Sequence, residues 1–257
     1  MLALKKNELS TQIEIRKIQP PNQLASGFLK FAKEINQKSI DLNTKFTEEE
    51  ICDIFNNSFP GKIRANFLLW VGDLNKIIDG MNIILLDLND LKNDKNSLKG
   101  NPLTRSELLF QSFFGEFFRI RETSRIFIKL LTKENILNNK SKELVFESYF
   151  VAFDKIYETR NLFIHQNLGF KDFDVDFGKD FFKLFSKEEK EKFTKLLSES
   201  NTRENTIEMQ CAFYIKFIEQ IMTNFLEFQE RLNGILADLI ILYEEQVLKI
   251  TVNRTDT

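Results

Sequence analysis

The chain has 257 residues, with 36 Lys and Arg against 38 Asp and Glu and a formal net charge of -2. So even a balance exerts no global pull on nucleic acid, and any polyanion must be held by a local basic patch. With 42% hydrophobic and 29% charged residues, the composition excludes a disordered chain and provides for a sizeable core.

Phenylalanine occurs 27 times, against 9 glycines and 4 prolines, and so much aromatic bulk with so few breakers predicts long packed helices. At the start, MLALKKNELS lacks the apolar centre of a secretory signal. The stretch TQIEIRKI is the only candidate strand, and residues 1–60 are expected to form a helical extension wrapped on the rest. Within it, Thr47 followed by Glu50 spells a capping box ahead of EEEICDIF. After a turn at Pro60-Gly61, residues 62 to about 96 carry apolar side chains at helical spacing, which Gly72 and Gly80 need not break. Lys99-Gly100-Asn101-Pro102 reads as a turn, and residues 103–131 as a phenylalanine-rich helix. Asn138 to Ser141 leads into a helix over about 142–167, closed by Gly169 as a left-handed cap. Residues 170–185 read as a packed loop or short irregular element, and Ser186 with Glu189 as a second capping box. From Glu204 to about Lys249 the pattern is helical again, with a break or bend expected at Gly234. The fold expected is an all-α bundle of long antiparallel helices over residues 61–257, with residues 1–60 packed on it.

The apolar stretches IIDGMNIILLDL and ILADLIILY are short and contain acids, so no membrane span is expected and a cytoplasmic location is. Two cysteines, Cys52 and Cys211, and one histidine, His165, are too few for a usual zinc site. No phosphate loop accompanies GKI at 61–63, because the preceding glycine and the following Ser or Thr are missing. Nothing local places either cysteine beside the histidine for a thiol hydrolase, and both read as core residues. No metal and no cofactor are expected.

His165 is the one side chain here whose unperturbed pKa suits proton transfer near neutrality. On a helical wheel, Phe146, Tyr149, Phe150, Phe153, Ile156, Tyr157 and Ile164 form an apolar stripe, and Arg160 falls in its middle. A guanidinium in such a row is costly unless it is paired or faces a polar cavity. Asp154, Glu158, Asn161 and His165 line up within about 60° on the adjoining flank, and Arg160 and His165 stand about 140° apart. That divergence is resolved if two copies of the helix cross on a two-fold axis and pool their arginines and histidines, so a homodimer is expected.

Arg160-Asn161-x-x-x-His165 at the end of a helix resembles the R-N-x-x-x-H motif of HEPN domains, over perhaps residues 103–250. The resemblance implies a helical bundle, often dimeric, and a metal-independent endoribonuclease of toxin–antitoxin, abortive-infection or other antiviral defence systems. It assigns catalysis to Arg160, Asn161 and His165, RNA as substrate and an antitoxin as a candidate partner. In many members an Asn and a Gly follow soon after the histidine; here His165-Gln166-Asn167-Leu168-Gly169 is one residue longer, which leaves the subfamily open. Asp154, Glu158 and, from the neighbouring helix, Glu122 are candidates to support the site. The alternative pairs Arg160 with Asp154, Glu158 or another acid, leaves His165 at the surface or as a cap, and makes the bundle a non-catalytic module for dimerisation or for binding a partner protein or nucleotide. Arg121, Arg125 and Lys129 form a basic ridge at i,i+4 spacing with Arg119 nearby. It could track an RNA backbone, although Glu116 and Glu122 favour a solvated, neutralised face.

Overall fold

A computed structural model of the protein describes residues 14–41, 46–50, 61–94, 97–165, 187, 191 and 203–255. Among them are five long helices, α1 (Asn22–Asp41), α2 (Gly61–Asn93), α3 (Pro102–Lys133), α4 (Asn139–His165) and α5 (Arg203–Thr255). No strand occurs among the described residues, and the fold is an all-α bundle.

Local chemistry explains the helix ends. Thr47 and Glu50 form the expected capping box, the Thr47 N–H donating to Glu50 Oε2 at 2.7 Å and the Glu50 N–H to Thr47 Oγ1 at 3.2 Å. Gly100, at φ +102°, supplies the left-handed turn before α3, whose Leu103 N–H is capped by Asn101 Oδ1 at 3.1 Å. Pro102 starts that helix, where its missing N–H costs nothing. At the other end Asn135 adopts φ 60°, and Ile136 and Asn135 donate to the Leu131 and Thr132 carbonyls, closing α3 in a Schellman motif. Asn138 then caps α4 through the Ser141 N–H at 2.8 Å.

Two expectations fail. Residues 14–21 of the candidate strand and its sequel have no regular structure, because side chains rather than a neighbouring strand satisfy their backbone. Asn82 accepts from the Ile15 N–H at 2.8 Å and donates to its carbonyl at 3.0 Å; Asn75 does the same for Ile18 at 2.8 and 3.0 Å. Nor does Gly234 break its helix: α5 runs unbroken through it, the flanking Leu232, Leu236 and Ala237 being buried. Tertiary packing outweighs the roughly 1 kcal/mol that one glycine costs a helix.

The chain divides into two compact units, each drawing on several of these helices. In the first (1–16, 79–113 and 162–222), Phe110 stacks on Tyr214 at 3.9 Å and meets Phe217 edge-on at 5.3 Å. Gln210, wholly inside, donates to Ser106 Oγ at 3.0 Å and to the Tyr214 hydroxyl at 3.2 Å. The pairings 106 with 210 and 110 with 214 show α3 and α5 running parallel in direct contact.

In the second unit (17–78, 114–161 and 223–257), α2 and α3 are antiparallel, with Lys62 at Glu134, Phe67 at Phe127 and Trp70 at Ser124. Trp70 stacks on Phe127 at 4.6 Å. A buried hydrogen-bond chain crosses the core of this unit. The Trp70 indole donates to Ser124 Oγ at 3.3 Å, Ser124 bonds the Tyr149 hydroxyl at 3.0 Å, Tyr149 donates to Gln229 Oε1 at 2.5 Å, and Gln229 donates to Asn233 Oδ1 at 2.7 Å. In the same unit, Arg64 clasps Glu244 with its Nε 3.0 Å from both carboxylate oxygens.

Helix α1 lies over that ion pair at Gly27, where a Cβ would sit 1.5 Å from Arg64 Nη1. Gly27→Ala must therefore push the guanidinium off a carboxylate that is only 4% exposed. A loss of about 1–3 kcal/mol is expected, less than the 3–5 of a fully broken buried pair because alanine favours the helix. Gly234→Ala meets nothing within 4 Å and should instead add about 0.5–1 kcal/mol. Chemical denaturation of the two variants checks the opposite signs; equal shifts would contradict the close approach at Gly27.

Candidate functional site

Helix α4 carries the whole Arg160–His165 motif in its last two turns. Asp154, Glu158, Arg160, Asn161 and His165 thus share one helix, and their side chains lie outside the described residues. So do Gly169, the segment 170–185, the Ser186–Glu189 box and Cys52.

The helix is not straight. Phe153 has φ -129° and ψ 17°, and α4 kinks there. A wheel drawn through 146–165 assumes an unbroken phase, which the kink at Phe153 interrupts. Phe146 before the kink is half-buried, and Tyr149 before it, Phe153 at it and Ile156 beyond it are buried. On the far side, positions 154, 158, 161 and 165 keep their mutual phase because all four follow the kink. Arg160 also follows it.

What holds α4 is a grip of rings and one hydroxyl. The Tyr149 ring stands edge-on to Phe228 at 4.9 Å, while its hydroxyl sits between Ser124 and Gln229. Phe153 meets Phe117 edge-on at 5.2 Å and Phe228 at 5.5 Å, and lies against Phe225 at 6.0 Å. Such edge-to-face pairs contribute about 0.5–1.5 kcal/mol each beyond burial. The polar members of this core were missed from sequence, although Gln229 and Asn233 stand four apart between Phe225, Leu232 and Leu236. A polar pair at i,i+4 inside an apolar row was the available signal.

One member of the basic ridge, Arg125, and the nearby Arg119 are paired with acids. Arg125 holds Glu122 at 2.7 Å and Arg119 holds Glu116 at 2.6 Å, both across one turn of α3. Glu122, a candidate to orient the site arginine, is thus engaged with Arg125. Arg121 is half-buried and Lys129 exposed. Among the described residues, no three of His, Cys, Asp and Glu converge as a group able to hold a metal ion.

Cys211 is fully buried, and burial pushes its thiol up to about 12, with Lys92 opposing slightly. Tyr214 is likewise raised, first by burial and then by the Glu107 carboxylate, against the hydrogen bond from Gln210. Neither group is a nucleophile near neutrality. No family model, no curated protein and no solved structure matches the chain.

The thiol makes a direct check of this core. In a Cys52→Ser variant, where Cys211 is the sole cysteine, about 10³-fold less thiolate than in an unfolded chain is expected at pH 8. Disulfide-reagent labelling should be slower than in denaturant by at least that factor, and rapid labelling of the native protein would refute the burial. Because the folded pKa is the higher one, this contribution to stability is full below 9.0 and is lost as pH rises towards 12.

Proposed function

We propose that the protein is a metal-independent endoribonuclease of the HEPN type, acting as a toxin or phage-defence or stress effector. One observation carries the reading: Arg160, Asn161 and His165 stand together in the last two turns of a long helix of an all-α bundle. This is the setting in which the R-N-x-x-x-H motif acts in the family it resembles.

The chemistry follows from the residue types. RNA carries its own nucleophile, the 2′-hydroxyl beside the scissile phosphate. Imidazole takes the 2′-proton as the 2′-oxygen bonds to phosphorus, and the bond to the 5′-oxygen breaks, leaving a 2′,3′-cyclic phosphate. The leaving oxygen takes a proton from a second imidazole, supplied by the same residue of a second protomer. Each transfer is worth about 10²–10⁴-fold. Arg160 binds the phosphate and the charge that grows on it in the transition state, and Asn161 orients the imidazole or the phosphate. Asp154 and Glu158 are supporting residues on the same flank. Arg121, Arg125 and Lys129 would guide the RNA backbone, with the Glu122–Arg125 pair exchanging for a phosphate contact. In this reading the enzyme is a cytoplasmic homodimer, restrained by an antitoxin or regulatory protein.

A second reading has its own support. Leu144 and Val151, seven residues apart on α4, are 54% and 72% exposed. An exposed apolar pair on one helix suits a non-catalytic helix-docking or dimerisation module. Incubation of purified protein with RNA in excess chelator separates the two. The ribonuclease reading expects cleavage to 2′,3′-cyclic ends, reduced at least 10³-fold in both Arg160→Ala and His165→Ala. Full activity of His165→Ala would overturn it, since the chain holds no other histidine.

A further inference from the structure

We propose that Tyr149 and Phe153 are positioning residues for the distal segment of α4, residues 154–165; as a statement about catalysis, this rests on the ribonuclease reading. Three observations meet here. At Phe153 the backbone leaves helical dihedrals, and after it the helix resumes and runs to His165. Neither proline nor glycine stands between residues 149 and 157, so no local breaker accounts for the kink. Phe153 is only 3% exposed and is surrounded by the rings of Phe117, Phe225 and Phe228.

The packing of that ring therefore sets the direction in which the distal segment departs. Tyr149, one turn earlier, fixes the approach. Its hydroxyl is bound on one side to Ser124 of α3 and on the other to Gln229 of α5. Together the two side chains tie the near half of α4 to both neighbouring helices, immediately before the pivot.

A pivot makes small errors large. Arg160 is seven residues beyond Phe153, about 10 Å along a helix, so a tilt of about 6° at the kink displaces it by about 1 Å. A misplacement of that size costs about 10²-fold in a site that works by orientation. Tyr149 and Phe153 touch no substrate in this scheme; they aim the helix that does.

The test uses the full chain and two readouts. One is the rate of RNA cleavage; the other is the imidazole resonance of His165, unambiguous because it is the only histidine. Tyr149→Phe, which keeps the ring and removes the hydroxyl, and Phe153→Leu should each lower kcat at least tenfold with KM within twofold. Both should also shift the His165 resonance. Phe110→Leu, which loses a comparable buried ring that stacks on Tyr214, serves as the control and should lower the melting temperature without either effect. Equal losses of kcat in all three variants, or a Phe153→Leu protein with unchanged kcat and resonance, would overturn the proposal. If the wild type cleaves no RNA, the ribonuclease reading fails by itself. The resonance then still decides whether Tyr149 and Phe153 aim the segment: a shift in their variants alone upholds it, and no shift rejects it.

Discussion

A single buried hydrogen-bond chain governs how four helices meet in the larger unit. An indole can only donate and the Gln229 oxygen can only accept. The hydroxyls between them are left with one arrangement, Ser124 donating to Tyr149 and Tyr149 to Gln229. The direction continues from the Gln229 amide to Asn233, whose own amide N–H₂ finds no partner among the described residues although the residue is 1% exposed. An unmet buried donor costs about 1–3 kcal/mol. Apolar packing alone would tolerate a helix sliding or rotating by part of a turn; this chain would not, because each shift strands another polar group in the core. The network thus exchanges some stability for a fixed register of α2, α3, α4 and α5.

That register determines the role of the aromatic residues. Phenylalanine abundance alone predicts bulk, not order, and many packings of 27 rings would bury similar areas. With Tyr149 pinned between Ser124 and Gln229, Phe153 has one place to go, among Phe117, Phe225 and Phe228. The kink follows from that constraint and not from any breaker in the sequence.

The existence and most ends of α2 to α5 were legible from the chain because they depend on local chemistry, whereas α1 was anticipated only as part of a helical extension over residues 1–60. Thr47 with Glu50, Gly100 before Asn101-Pro102 and Asn138 before α4 act over three or four residues, within the range that sequence spacing describes. The failures share a different cause. TQIEIRKI has the look of a strand, but Asn75 and Asn82, some 60 residues away, supply its partners as side-chain amides. Gly234 looks like a break until the buried face around it is known. Arg160, one polar residue in an apolar row, carries the mark of a functional residue in the sequence. The same signal was present at Asn75, Asn82, Gln229 and Asn233, where the outcome is an internal partner. Polarity in an apolar row therefore marks a specific interaction without saying whether it is internal. At Arg160 the functional reading depends on Asn161 and His165 standing at the family spacing.

The kink also bears on the proposed two-fold site. It lies upstream of both Arg160 and His165, so it changes where the pair is aimed and leaves the angle between them untouched. Five helical residues separate their positions by about 140° of phase, whatever happens at Phe153. No adjustment within one copy of α4 that keeps residues 154–165 helical can close that angle. Convergence must come either from the length of the arginine side chain or from a second α4 crossing the first. In the proposed ribonuclease, the second route would set one protomer's arginine against the other's histidine and supply a separate acid and base for transesterification. A monomer would have to perform both proton transfers with one imidazole, and to reach its phosphate from the wrong side of the helix.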